Sequence, residues 1–253
     1  MSRFRTYRTE GVVIRQMPLG EADRILTLCS PDMGKVRAVA KGVRRTKSKL
    51  GGHLELLNRA SVSVAIGRNL DTISEASAIS TFGGIRGDLS RVSRAMYIAE
   101  VVDSFSMEGN GNRALYHLLL STLLWLERTA NLDLLMRWFE MRLLDCSGYM
   151  PELVHCVECR EWLEPADHLF ACDAGGVLCP NCRTASSGAL LPLPLNTMKT
   201  LRFVQREAKF DKLESLNVPA NILKDMERLM RTYIRHVAER DVRSAEFVSL
   251  TTN

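Results

Sequence analysis

At 253 residues the chain is long enough for one large domain or two ordinary ones, and its 46% apolar share is enough to bury a real core. The net charge of +5 hides an asymmetry: residues 1–50 carry twelve Lys/Arg against four acids, or +8, and the rest sums to −3. That bias predicts a polyanion-binding N-terminal domain, while the longest apolar run, Leu118 to Leu126, is too short and too interrupted for a membrane span.

The opening residues, MSRFRTYRTEG, have charges but no apolar h-region, so no signal peptide is expected. Residues 1–82 then read as β-rich. Gly11 to Gln16 is a strand expected to end before Met17-Pro18. Arg24 to Cys29 alternates Ile25, Thr27 and Cys29 against Leu26 and Leu28, and Pro31 to Gly34 has turn chemistry. Next comes the most informative stretch, Gly34 to Lys49. It holds seven cations (Lys35, Arg37, Lys41, Arg44, Arg45, Lys47 and Lys49) and no acid. Its first half has a period of two, with Val36, Ala38 and Ala40 on one face and Lys35, Arg37 and Lys41 on the other, as in a half-buried strand. Its second half, from Gly42, is a basic loop. A basic strand running into a basic loop is a landing site for phosphates. Lysine-rich edges also block aggregation, but the loop extends the charge beyond what edge protection needs. Ser61 to Ile66 alternates again, with Val62, Val64 and Ile66 on one face, Gly67 to Asn69 is a hairpin loop, and Leu70 to Ser77 returns. Five short strands with an edge problem predict a small closed sheet, the OB-fold β-barrel.

From residue 83 helical spacing takes over. Leu89, Val92, Met96, Ala99 and Val102 form one stripe. Asn112 is placed to cap a helix to Arg128 with Leu115, Leu119, Leu123 and Leu126 on its buried face. A third helix spans Asn131 to Cys146, with Gly148 at the C-cap. Residues 150–195 interrupt the helices. Asn196 is then expected to cap a helix through Phe210, and a last helix runs from Ala220 to Glu239 on Ile222, Met226, Leu229, Tyr233 and Val237. Both of these late helices carry a basic stripe: Lys199, Arg202, Arg206 and Lys209 on the first, Lys224, Arg228, Arg231 and Arg235 on the second. A solvated face is the plain explanation of either one; two in one domain form a candidate anion groove. The expected architecture is α+β and multidomain: the barrel (1–82), then an all-helical domain (83–253) with an inserted four-cysteine zinc ribbon (150–195).

Cys156-Val-Glu-Cys159 and Cys179-Pro-Asn-Cys182 form C-x2-C-x19-C-x2-C. Two such knuckles bring four thiolates to one point, which suits a structural Zn²⁺. A redox pair needs one CxxC beside a βαβ unit, and seven cysteines without an export signal predict reduced thiols in a cytosolic protein. Cys172 has the wrong spacing for a ligand, His155 and His168 are not needed, and Cys29 and Cys146 read as buried apolar residues. Four protein ligands leave no open position for water. There is no phosphate loop, HExxH, GxSxG or GxGxxG, and no nucleophile–base pair. The chain therefore reads as a binding protein and not an enzyme.

Several segments resemble the RecO family of bacterial recombination mediators. They are Gly20-Glu-Ala-Asp-Arg-Ile-Leu-Thr-Leu28, Gly34-Lys-Val36, Ala38 to Arg45, Gly148-Tyr-Met-Pro151 leading into Cys156 and Cys159, Gly175 to Cys179, and Arg228 to Ile234. They span nearly the whole chain in the right order. One departure is Arg160, where knuckles of this family often have glycine. The resemblance implies an OB fold, a helical domain and a zinc ribbon. It implies binding of single- and double-stranded DNA, with Arg24 joining the seven cations, and annealing of complementary strands. It also implies partnership with RecR and with the acidic C-terminal tail of the single-stranded DNA-binding protein SSB, RecF as a further candidate partner, and help in loading RecA. The cellular place it implies is the cytoplasm, at the nucleoid during repair. The tail is assigned to one of the two helical stripes: Lys199, Arg202 and Arg206, or Arg228 and Arg231. The rival class is an RNA-binding or ribosome-associated module of the same architecture.

Among the first 82 residues only Phe4, Tyr7 and Phe82 are aromatic. Base stacking has few platforms there, so binding is expected to be led by phosphates, with little base preference and a salt slope of about −0.7 per phosphate on single strands.

Overall fold

The period of two in the N-terminal third corresponds to a barrel. In the computed structural model, which describes residues 6–184, 188 and 190–238, five strands close in the order β1-β2-β3-β5-β4. They are β1 (Thr6–Leu19), β2 (Asp23–Ser30), β3 (Gly34–Ala40), β4 (Arg59–Ala65) and β5 (Asp71–Ser80). Neighbours are antiparallel except β3 and β5, which pair in parallel. This is the expected OB arrangement, and closure gives every strand a partner on each side along part of its length. Leu26, Leu28, Val36, Ala38, Val62 and Val64 fill the interior.

Two strand limits differ from expectation. β1 does not stop before Met17-Pro18. It pairs with β4 over residues 6–12 and with β2 over 12–19, through a bulge between Val13 and Arg15. Pro18 is tolerated because β1 has a neighbour on one side only there. Ile66 lies beyond β4 and is 49% exposed, because the chain leaves the barrel at Ala65. The gap before β4 is not simple loop. A 3-10 turn at Gly51–His53 leads into Leu54, which is buried in the barrel core with Val43.

The barrel forms one compact unit together with α1 (Gly83–Arg86), α2 (Leu89–Phe105) and α3 (Arg113–Arg128). α2 packs on β1 and α3 on β2, so the outward residues Thr27 and Cys29 of β2 are buried too. Asp88 caps α2, accepting from the Ser90 and Arg91 amides. The expected α2 stripe is only half right: Ala99 and Val102 are buried, but Leu89 is 62% exposed and Met96 is exposed. Because α2 contacts β1, α1 and α3 at once, its buried arc is wide and no single stripe marks it. α3 follows the sequence closely. The Leu115 amide donates to Asn112 Oδ1 at 3.0 Å, and Leu115, Leu119, Leu123 and Leu126 are all buried. Tyr116 ties α3 to the barrel through Glu10 Oε1 (3.1 Å), which also accepts from Arg59 (3.0 Å).

The second unit starts at Thr129. It holds α4 (Leu132–Cys146), a three-stranded sheet in the order β7-β6-β8, and the two late helices α5 and α6. The sheet strands are β6 (His168–Ala171), β7 (Gly176–Leu178) and β8 (Leu190–Leu193); α5 is Leu195–Arg206 and α6 is Ala220–Ala238. α4 ends as expected, with the Gly148 amide donating to the Asp145 carbonyl and φ of 81° at the glycine. Asn196 is not the cap of α5. β8 runs straight into Pro194 at the cap position, and the Leu195 amide donates instead to Asp167 Oδ1 at 2.8 Å. α5 stops at Arg206, and Phe210 opens a separate 3-10 turn with its ring 5.8 Å from Trp138. Met226, Leu229 and Tyr233 of α6 are buried as expected, joined by Met230 and Ile234. Cys146 is only half-buried. Phe4 and Glu239, which the sequence reading used, lie outside the described residues.

Candidate nucleic-acid interface and metal centre

The β3 alternation is as the sequence predicts: Val36, Ala38 and Ala40 face the core, and Lys35 and Arg37 face out. The cations are not equivalent. Lys35 Nζ lies 2.7 Å from Asp103 Oδ1 and donates to the Asp103 carbonyl at 2.7 Å, with the two side chains 17% and 13% exposed. Asp103 also lies 3.6 Å from Arg15. This acid comes from α2, and no signal in the sequence connects it with β3. Arg37 is exposed and 3.8 Å from Glu108. Arg24 is 3.4 Å from Glu55.

The loop after β3 is different. Lys41, Arg44, Arg45, Lys47 and Lys49 are all exposed, and none pairs with a carboxylate among the described residues. The backbone beneath them is fixed. The Gly42 amide donates to Asp23 Oδ1 at 2.7 Å, and the Arg44 amide donates to the Ala22 carbonyl at 2.9 Å. Val43 plugs into the barrel core, and Leu50 at the loop's end packs against it. These anchors present the cations between and beside them to solvent. The sequence reading passed over Arg68, which lies in the β4–β5 loop and lines a cavity of about 310 Å³ with Arg37. Aromatic platforms are as scarce as expected: Phe82 is buried, and the Tyr7 hydroxyl donates to Asp71 at 3.0 Å.

In the second unit, Cys156, Cys159, Cys179 and Cys182 place their sulfurs within 4.8 Å of one another, and Cys172 is not among them. The Cys159 and Cys179 sulfurs are 3.8 Å apart. Four sulfurs at about 2.3 Å from one tetrahedral ion are separated by about 3.8 Å, so the donors fit Zn²⁺ in spacing and in chemistry. Burial raises the Cys156 thiol, but amide hydrogen bonds from Cys179, Cys159 and Glu158 outweigh it and bring the thiol down to about 6. Hydrogen bonding to Cys179 pushes Cys182 up to about 12. One thiolate is thus prepared by backbone dipoles, while the Cys159 and Cys182 thiols are raised and favour a cation's help to ionise. Arg160 has a φ of 64°, a left-handed backbone, and its amide donates to the Cys156 carbonyl at 3.0 Å. The arginine therefore occupies the conformation that glycine adopts without strain.

The two late stripes differ as well. On α5, Lys199 and Arg206 are exposed, and Phe203, four residues after one and three before the other, is 38% exposed between them. Arg202 is half-buried. Its Nε donates to the Leu153 carbonyl at 2.7 Å, and its Nη2 is buried without a partner. Burial and the Arg206 guanidinium hold its pKa below the usual arginine value. On α6, Lys224 is exposed and Arg228 pairs with Asp225 at 3.2 Å; Arg231 and Arg235 each have an interaction partner. Among the described residues no helix is long and apolar enough to cross a membrane.

Residues 1–82 match the family model described as "Recombination protein O N terminal", and residues 86–246 match "Recombination protein O C terminal". Curated relatives named "DNA repair protein RecO" align over most of the chain. The one from Dehalococcoides mccartyi strain CBDB1 is 40% identical, covering 95% of this chain and 94% of its own. The Roseiflexus sp. strain RS-1 protein is 39% identical over 97% and 86%, and that of Symbiobacterium thermophilum is 33% identical over 96% of each.

Proposed function

The chain belongs to the RecO family of DNA repair proteins, and from that premise we propose that it is a non-catalytic recombination mediator that grips DNA by its phosphates. The observation that supports this most is the pinned loop: Lys41, Arg44, Arg45, Lys47 and Lys49 are exposed within nine residues, on a backbone that hydrogen bonds and Val43 hold in place. A row of cations without carboxylate partners, on a pinned backbone, is preorganised for a polyanion. Arg37 extends the row. Lys35 and Arg24 lie at its margin, because carboxylates already engage them. With no exposed stacking aromatic among the described residues of the barrel strands, bound bases stay free to pair. That suits annealing of complementary strands, and it makes binding of single- and double-stranded DNA a matter of backbone charge.

The finer assignment follows the family. The protein acts with RecR, and with RecF as a further candidate partner, to load RecA onto SSB-coated single strands, in the cytoplasm and at the nucleoid during repair. The acidic SSB tail docks on α5, where Lys199, Arg202 and Arg206 flank Phe203. A peptide that carries acids and one apolar anchor needs cations beside an apolar contact, and Arg228, Arg231 and Arg235 of α6 already have partners. Zn²⁺ is held by Cys156, Cys159, Cys179 and Cys182. It has a structural role, since a closed set of four ligands leaves no position for water or substrate.

Binding of matched DNA and RNA strands across a salt series, in the parent and in a variant with glutamine at the five loop cations, tests the reading. Losing five phosphate contacts flattens the slope by up to about 3.5, and annealing fails with it. Unchanged affinity in a folded variant sinks the phosphate grip, and a strong preference for RNA favours the RNA-binding module instead. For the tail, charge reversal at Arg202 and Arg206 weakens peptide binding, and reversal at Arg228 and Arg231 does not.

A further inference from the structure

Residues 106–111, between α2 and α3, form a strap across the start of β3. The Lys35 amide donates to the Met107 carbonyl at 2.8 Å, and Gly34 and Lys35 both bridge to Glu108. Two glycines permit this closeness. A Cβ on Gly34, whose φ is 64°, would lie 2.3 Å from the Met107 and Asn110 carbonyl oxygens; one on Gly111 would lie 2.4 Å from the Asp32 carbonyl oxygen. Arg113 fastens the far end to Asp32 through two bonds of 2.9 and 2.7 Å. The strap carries one acid, and this packing sets its carboxylate 3.8 Å from Arg37.

That carboxylate lines the 310 Å³ cavity together with Tyr7, Lys35, Arg37, Arg68 and Asp71. Two of these charges are already engaged. Asp103 neutralises Lys35, and Asp71 accepts from the Tyr7 hydroxyl and the Gly67 amide at 3.0 Å each, shaping the hairpin. What remains is Arg37 and Arg68 with Glu108 beside them. We propose that Glu108 is a built-in competitor for phosphate, its carboxylate standing at the seat that a DNA phosphodiester takes beside Arg37 and Arg68. The pair is exposed on both sides and long, hence weak, so a strand delivered by the neighbouring loop displaces it. The cost is a looser hold and a faster release, as a protein that hands strands on requires. The inference rests on the phosphate grip proposed above.

The test is binding of a fluorescent polythymidine strand across a salt series. Glu108→Gln tightens binding about three- to tenfold at low salt and steepens the slope by about 0.7, one added phosphate contact. The gain disappears when Arg37→Ala is added. Glu75→Gln, an equal charge change on β5 where Glu75 pairs with Arg8 at 3.4 Å, leaves affinity within about twofold of the parent, as expected of an exposed pair outside the cavity. Glu108 makes its strap contacts through its backbone, and a thermal melt verifies that the variant is folded. Parent-like affinity and slope in Glu108→Gln, or an equal gain from Glu75→Gln, overturns the inference. If the parent itself binds without salt dependence, it is the phosphate grip that fails.

Discussion

The Lys35 ammonium sits 2.7 Å from the Asp103 carboxylate, and both are largely shielded from water. The pair joins β3 to α2 within the barrel unit. Removing one member of such a pair strands the other in a poorly solvated place. Lys35→Met is therefore expected to cost about 3 kcal/mol of stability, measured by urea unfolding, while DNA affinity at fixed salt falls far less than in an Arg45→Gln, Lys47→Gln double variant. A Lys35 variant as stable as the parent but defective in binding would reverse these roles.

That pair also marks where a reading of the sequence runs out. The alternation Val36-Ala38-Ala40 told which way β3 faces, because a period of two is a local property. It did not tell that Asp103, sixty-eight residues on, would take Lys35 out of the charged row. Nothing local links an acid on a helix to a lysine on a strand. Leu89 and Met96 mislead in the same way. Their helical spacing is real, but which side of α2 is buried depends on the neighbours β1, α1 and α3. By contrast, the four cysteines and the Asn112 cap were legible, since ligand spacing and capping geometry are written within a few residues. Val43 lies between these cases: one apolar residue in a basic loop is a visible signal of an anchor, though not of what it is anchored to.

Metal removal separates the two units. If the four cysteines hold Zn²⁺ as proposed, the purified protein contains one equivalent of zinc, and chelation or Cys182→Ser is expected to abolish it and to lower the melting temperature of the second unit, because the ribbon sheet of three short strands has little core of its own. DNA binding by the loop at residues 41–49 survives at moderate temperature. Zinc content, near-UV circular dichroism and strand binding measured on one sample decide this. Loss of DNA binding in step with zinc would assign the ribbon a direct part in the grip.

Arg160 holds a left-handed backbone with a side chain that resists it. Arg160→Gly relieves a strain of about 1 kcal/mol and gives part of it back as unfolded-state entropy. The expected net gain is a few tenths of a kcal/mol, seen as slower zinc loss to a chelator. Arg160→Val moves the other way, since a β-branched residue tolerates this conformation least. If the glycine variant loses zinc faster than the parent, the guanidinium contributes more than the backbone strain removes.

Alkaline stability provides a test of the barrel with a definite sign. Burial, and then the hydrogen bond and charge of Asp71, push the Tyr7 phenol up to about 12 from its ordinary value of 10.0. Burial, and then the charge of Glu10, raise Tyr116 as well. Below about pH 10 both phenols are protonated in the folded and unfolded chains and contribute no pH dependence. Between about 10 and 12 the unfolded chain loses protons that the folded one keeps, so stability falls as pH rises through that window. Tyr7→Phe removes its share of the fall, and Tyr116→Phe removes another, so the stability curves of the two variants are shallower than the parent curve above pH 10 although both start lower. They start lower because Asp71 and Glu10 each lose a hydrogen-bond donor. Denaturant unfolding at several pH values checks this. A Tyr7→Phe curve that stays parallel to the parent through the window would mean that the phenol is already solvated in the folded barrel.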